Sequence, residues 1–418
     1  MKESYLSGGD ARPQKFNFRI SISLFLVLLS GITIKSFGQK TVATTDSVID
    51  ARLSAVEKKV SSQTFGQSHF LVVGLTTFGF VSNRTITSVS GSAQTSKTSV
   101  MGGDTYEFSP MFLWRQGNRV LLEFEPSFNH DGLSVNWATV SYFAAPNFIV
   151  RGGYLVLPFG IYTKKLAAGW INKVATDPIG LPTGADYGVE ISGGLPLGTV
   201  KWNYDLSITN GMSLLPNGSL QGVKLNSNAR DKTFTGRLGL LPFSNNSLEI
   251  GVSGMHGGVA NGDTRFQNAK VDMFAFDFNF VKNFNPFQIN IKSQYNVVNV
   301  SRQNYQTPQD TTQFYTFSNH STSGYGQFSI RPVESQSEFI KRIELAFRYG
   351  NSTTPTNSAW GSNTTQTDYG INYWINWRTV LRLTYEILDN KSTANEAIGG
   401  NLAGIKSYAF HAQFSIQL

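Results

Sequence analysis

From residue 69 to the C-terminus, apolar and polar residues alternate with period two, and this limits the chain more than anything else in it. Tyr106, Phe108, Pro110, Phe112 and Trp114 fall on one face, with Glu107, Ser109 and Arg115 on the other. After Gln116-Gly117-Asn118, the residues Val120, Leu122, Phe124, Pro126 and Phe128 alternate with Arg119, Glu123 and Glu125. The same holds for Val200–Thr209, for Phe274–Phe280 and for Leu381–Ile387. Successive side chains of a strand point to opposite faces, so these are strands with one apolar and one wet face. Sixteen such segments can be counted, from 69–81 to 405–418.

A soluble sandwich alternates in the same way, so the connections have to distinguish the two. They differ strictly in kind. Tight turns such as Gln116-Gly117-Asn118 follow every second segment, and long polar stretches follow most of the others: 82–102, 158–184, 211–232, 257–269, 301–321, 351–364 and 391–404. Only 130–132 breaks the rule. An even number of strands with short turns on one rim and long loops on the other is the pattern of a transmembrane antiparallel β-barrel of about 16 strands. Closure also removes the strand edges that hydrocarbon cannot solvate. Tyr and Trp near segment ends (Trp114, Trp137, Tyr142, Trp202, Tyr373, Trp377) fit interfacial girdles. The last segment, ending in Leu418, is similar to the C-terminal strand signal of assembled barrels, with Leu in place of the usual Phe.

Composition agrees. Only 15% of residues are charged, 13% are aromatic and 40 are Gly. The absence of Cys excludes disulfide scaffolds, thiolate metal sites, Cys nucleophiles and a lipidated N-terminal Cys. The basic excess, +8 over the 418 residues, is too mild to argue for nucleic acid.

The N-terminus supplies a compartment. Lys2, Arg12, Lys15 and Arg19 precede an apolar run from Ile20 to Ile34. That run is short of the roughly 20 residues a spanning helix needs but suits a signal-peptide core. Ser36-Phe37-Gly38 then places small residues at the expected cleavage site, so 1–38 reads as a cleaved export signal. Within 39–66, Asp46–Gln63 reads as a helix with Asp46 as N-cap. Ile49, Leu53, Val56 and Val60 are spaced 4, 3 and 4, a short coiled-coil seam that asks for partner helices. The barrel is expected over 67–418, in a bacterial outer membrane, surrounded by lipid and assembled as a homotrimer.

The segment PNFIVRGGYLVLPFGI (146–161), followed by GWINK and TDPIG, and the hairpin YGINYWINWRTVLRLTYEIL (369–388) resemble porins of the phosphate-selective O and P group. With the N-terminal heptads they resemble DcaP-like porins more loosely. The resemblance implies a sixteen-stranded trimeric channel whose third long loop folds inward and narrows the pore. Phosphate channels of that group line the lumen with an arginine ladder and a lysine cluster. Here the inward set is mixed: Arg115, Arg119, Glu123, Glu125, Arg151, Lys201, Asp205, Arg237, Asp277, Lys292, Arg342, Glu344, Arg348, Arg382 and Glu386.

The 158–184 connection holds Lys164, Lys165 and Lys173 against one acid, Asp177, together with Tyr162 and Trp170. If it enters the lumen, the lysines would favour anions at a low-dielectric constriction, and the two rings would offer stacking faces to solutes. An ordinary solvated loop is the plain alternative. Catalytic constellations are weak. His130-Asp131 with Ser134 nearby lacks an oxyanion signal, no Asp-Asp pair occurs, and five scattered histidines show no metal-ligand spacing. No enzyme, cofactor or metal is expected. Three functions stand: a porin passing small hydrophilic solutes with an anion lean, a phosphate or organic-anion channel, and a barrel-anchored structural or enzymatic protein with a plugged lumen.

Overall fold

The computed structural model describes residues 68–89, 92–102, 105–182, 184–222, 232–260, 266–400 and 402–418. The leader, the helix and the seam Ile49, Leu53, Val56 and Val60 lie outside the described residues. Strand β1 (Ser68–Val89) is followed by β2, which runs in two pieces, Ser92–Met101 and Glu107–Gln116. Then come β3 (Val120–Asn129), β4 (Gly132–Ala145), β5 (Phe148–Val156), β6 (Ala185–Leu197), β7 (Val200–Thr209) and β8 (Thr233–Leu241). The second half holds β9 (Leu248–Gly258), β10 (Lys270–Phe284), β11 (Phe287–Val300), β12 (His320–Arg331), β13 (Ile343–Thr353), β14 (Ser362–Asn376), β15 (Thr379–Ser392) and β16 (Gly404–Gln417). Each strand pairs antiparallel with the next, and β1 closes the ring on β16, from Leu75 opposite Gln417 to Ser88 opposite Gly404. The result is a closed sixteen-stranded antiparallel barrel. None of the described helices is long and apolar enough to cross a membrane.

The alternation reads directly onto the wall. Phe78, Val140, Val189, Leu206, Phe234, Leu238, Phe274, Leu345 and Ile371 are each about half exposed on the outside. Inward neighbours such as Ser141, Glu190, Asp277, Asn296, Ser329, Arg348 and Thr384 are buried. This is the reverse of a soluble protein, and a continuous apolar outer surface of this kind needs hydrocarbon to cover it. Aromatics ladder across the outside: Phe112 stacks between Phe70 and Phe124, with centroids 6.1 Å from each. At the short-turn rim, Arg378 lies 4.4 Å over the exposed Trp377 ring, and Phe339 packs on Tyr373 at 5.6 Å.

Two expectations change. Residues 82–102 are not a long polar loop. The two sides of a hairpin pair from Phe80 opposite Met101 to Val89 opposite Ser92. With β1 at 22 residues, about 70 Å when extended, the hairpin rises well beyond its neighbour β3. The period-two pattern there is polar on both faces, which hides a strand from a hydrophobicity reading. The lumen is also not wet throughout. Met255, Val271, Met273 and Ala275 point inward near the long-loop rim and pack with Leu157, Phe159, Met212, Leu214, Val259, Phe266, Tyr305 and Phe317. Loops 210–222, 301–319 and 354–361 lock together over this core. Asn319 donates to the Gly218 carbonyl at 2.7 Å, Trp360 Nε1 to the Asn217 carbonyl at 3.1 Å, and the Ala359 amide to the Tyr315 hydroxyl at 3.2 Å.

Candidate functional site

Leu155 and Leu157 carry the β5 pattern to Pro158, which has no amide hydrogen to donate to a ladder. The chain then turns at Gly160, where φ is +68°. A Cβ at Gly160 would stand 2.1 Å from the Gln294 side chain, so both the turn and the close approach need glycine. From here to Gly184 the segment lies against the inward side chains of the wall from β6 round to β15. It has one helical turn, Tyr162–Leu166, and otherwise little regular structure.

The wall supplies the hydrogen bonds that regular structure would otherwise make. The Gly160 amide donates to Ser253 at 3.0 Å, and the amides of Ile161 and Tyr162 share Gln294 Oε1 at 2.9 and 3.0 Å. The Ala175 amide donates to Thr384 at 2.9 Å. The carbonyls are met by cations and amides. Lys292 donates to Ile171 O, and Arg382 Nη1 to the carbonyls of Asn172 at 3.1 Å and Val174 at 2.9 Å. Asn372 donates to Lys173 O at 2.9 Å, and Arg348 Nη1 to Thr176 O at 2.8 Å. Buried backbone groups are costly without partners, so these side chains hold the segment in place. Arg348 is itself fixed by Asp368 at 2.8 Å, with both side chains fully buried.

The three lysines of the segment each meet a carboxylate. Lys164 Nζ lies 2.9 Å from both Glu190 and Asp205, Lys165 Nζ 2.6 Å from Glu249, and Lys173 Nζ 3.4 Å from Glu344. Lys173 also sits 4.6 Å over the Trp374 ring. Burial pushes its ammonium pKa down, and Glu344 opposes that shift. Tyr162 is buried. Its hydroxyl donates to Asp177 at 2.5 Å, and its ring packs edge-on against Tyr325 at 5.7 Å, so its faces are not open to a solute. Trp170 is half-buried, and its carbonyl accepts from Lys173 at 3.4 Å.

The rest of the inward set divides by place. Arg151 pairs with Glu190 at 2.6 Å and lies 3.7 Å from Glu123. Glu125 accepts from Asn136 at 2.9 Å. Arg237 bridges Glu249 and Asp277 at 2.9 and 2.6 Å. Arg115 stays near the short-turn rim, 5.8 Å from the Phe143 ring centre. Arg119 is not a lumen charge: it lies in the turn after β2 and donates to the hydroxyl of Tyr142, whose ring is exposed on the outside. Arg342 likewise leaves the wall, in the helical turn Ile340–Arg342 of a short-rim connection. Sequence reasoning missed the wall partners Ser253, Gln294, Gln366, Asn372 and Thr384. They are inward polar positions on strands, and nothing local to them marks a buried loop.

Within the described residues, no group of three or more His, Asp or Glu is placed to hold a metal ion. No family model matches the chain, and no curated protein does. Among solved structures the chain is similar to an anion-selective porin from Comamonas acidovorans, at 12% identity and a TM-score of 0.48, covering 84% of this chain and 100% of that one. It is similar to the outer membrane channel DcaP of Acinetobacter baumannii, at 11% identity and 0.49, covering 84% and 97%. A Salmonella typhi OmpF complex with daunomycin is similar at 9% identity and 0.47, covering 82% and 97%. At such identities the likeness extends to barrel architecture alone.

Proposed function

We propose that the protein is a porin of the bacterial outer membrane, a passive channel for small hydrophilic solutes and not an enzyme. The observation that supports this best is where the inward segment does not go. It is bound to the wall from β6 to β15, and the inward face of β2 to β5 beside it carries Glu107, Glu123 and Arg151 among apolar side chains such as Leu113 and Leu121, with Glu123 and Arg151 side chains each 22% exposed. A barrel of sixteen strands is wide enough to keep a lumen once one segment has entered it. On this reading residues 1–38 direct export, 39–66 form the seam of a homotrimer, and the apolar outer surface meets lipid.

The lysines argue against a filter specific for phosphate or another anion. Each of Lys164, Lys165 and Lys173 is occupied by a wall carboxylate, so they serve first as fastenings of the segment. The test is liposome swelling with the purified barrel and neutral sugars of increasing size. The porin reading expects swelling whose rate falls steeply with sugar size. Liposomes that do not swell with the smallest sugar would favour the plugged barrel.

A further inference from the structure

Every cation of the inward segment is paired, yet several carboxylates beside the open strip are not. Glu107 is half-buried on the inner face of β2 and accepts hydrogen bonds from Ser109 at 2.5 Å and Ser127 at 3.1 Å, both neutral. Glu125, on the next strand, takes its bond from the neutral Asn136 but is buried, at 8% exposed, and adds no exposed charge to the strip. Asp177, exposed on the inward segment, takes its bond from the Tyr162 hydroxyl. None of these three has a cationic nitrogen within 4.0 Å among the described residues. Close by, Glu123, Glu190 and Asp205 share only Arg151 and Lys164 among the described residues.

The cations are distributed the other way. Lys292 and Arg382 are only 2% and 4% exposed, and their hydrogens go to carbonyls of the inward segment. Arg348 and Arg237 are buried against Asp368 and Asp277. Arg115 and Arg331, which have no carboxylate within 4.0 Å among the described residues, stand at the short-turn ends of β2 and β12. The cations that reach the strip, Arg151, Lys164 and Lys165, are each paired with carboxylates, while Glu107 and Asp177 have no cationic partner among the described residues, so the strip keeps an excess of negative charge. Low-dielectric walls focus such a field on the aqueous path.

We propose that the channel prefers cations, with Glu107, Glu123 and Asp177 as its specificity-determining charges. The proposal rests on the porin reading, and its test separates the two. The barrel is inserted in a planar bilayer under a tenfold KCl gradient, and the zero-current potential is read. The expected sign is that of potassium permeating faster than chloride. In Glu107→Gln/Glu123→Gln/Asp177→Asn that preference falls at least twofold toward none. Asp177→Asn alone, on an exposed segment position and with an amide oxygen still able to accept from the Tyr162 hydroxyl, shifts it in the same direction. Heat-modifiable migration on a gel certifies that each variant is closed. A chloride-preferring wild type overturns the proposal, as does a preference that the folded variants leave unchanged. A barrel that passes no current removes the porin reading itself.

Discussion

Arg348 and Asp368 show how much one inward pair holds. Both are fully buried, and the same guanidinium also reaches the Thr176 carbonyl at 2.8 Å. Replacing Arg348 with Met leaves Asp368 buried without its partner, a loss of about 3–5 kcal/mol for pairs of this kind. The expected outcome is a clear drop in the temperature at which the folded gel band converts to the unfolded one. Tyr305 makes a pH prediction in the outer loops. Burial raises its pKa above the ordinary 10.0, against the lowering effect of the Asn319 bond. A raised pKa means the folded state holds the proton more tightly than the unfolded chain. Its contribution is complete below pH 10 and fades as pH rises through the folded value. Phenolate absorbance should show a late-titrating fraction, and outer-loop proteolysis should increase only once that fraction ionises; Tyr305→Phe should reduce that alkaline step, with Tyr315, whose pKa burial also raises, left to titrate. The charged residues themselves were easy to find in the sequence. What was hidden was their pairing, because Lys164 with Glu190 and Lys165 with Glu249 meet only when the segment folds back against the strands that follow it.

At the scale of elements, the strands were legible and the inward segment was only half so. Pro158 and the loss of alternation after Leu157 mark where β5 ends, and the resemblance implied an inward turn. Nothing in the run GWINKVATDPIG shows that its carbonyls face Arg382, Asn372 and Arg348. The hairpin between β1 and β2 escaped for a different reason: SNRTITSV and SAQTSKTSVM are polar on both faces, so period two leaves no mark on them. The inner core of β10 does carry a signal in the sequence. Val271, Met273 and Ala275 alternate with Phe274 and Phe276, so both faces of that stretch are apolar, as expected for a strand covered on both sides. Two substitutions test the fastening of the segment. Gly160→Ala places a methyl group against Gln294 and forces a left-handed backbone on a residue with a Cβ, about 1–2 kcal/mol for the backbone alone. Its expected effect is a noisier channel with faster cleavage of the segment by protease, read from bilayer current traces and limited digestion. Lys164→Gln/Lys165→Gln removes the bonds to Glu190, Asp205 and Glu249, and the loosened segment should stray into the open strip and lower the conductance.

For the whole molecule, the account reduces to a ring of sixteen strands, a segment fastened across part of its lumen, and a polar strip left open beside it. The ring was readable because hydrocarbon outside and water inside impose one period on every strand. The occupied lumen was not, because inward residues serve water and a folded-in segment with the same polar side chains. Single-channel conductance of the wild type beside Lys164→Gln/Lys165→Gln tests the central claim most directly. The account predicts discrete ohmic steps for the wild type and smaller, noisier steps for the variant, as the released segment strays from the wall into the open strip. Steps of equal size in both, or no steps in either, would contradict it.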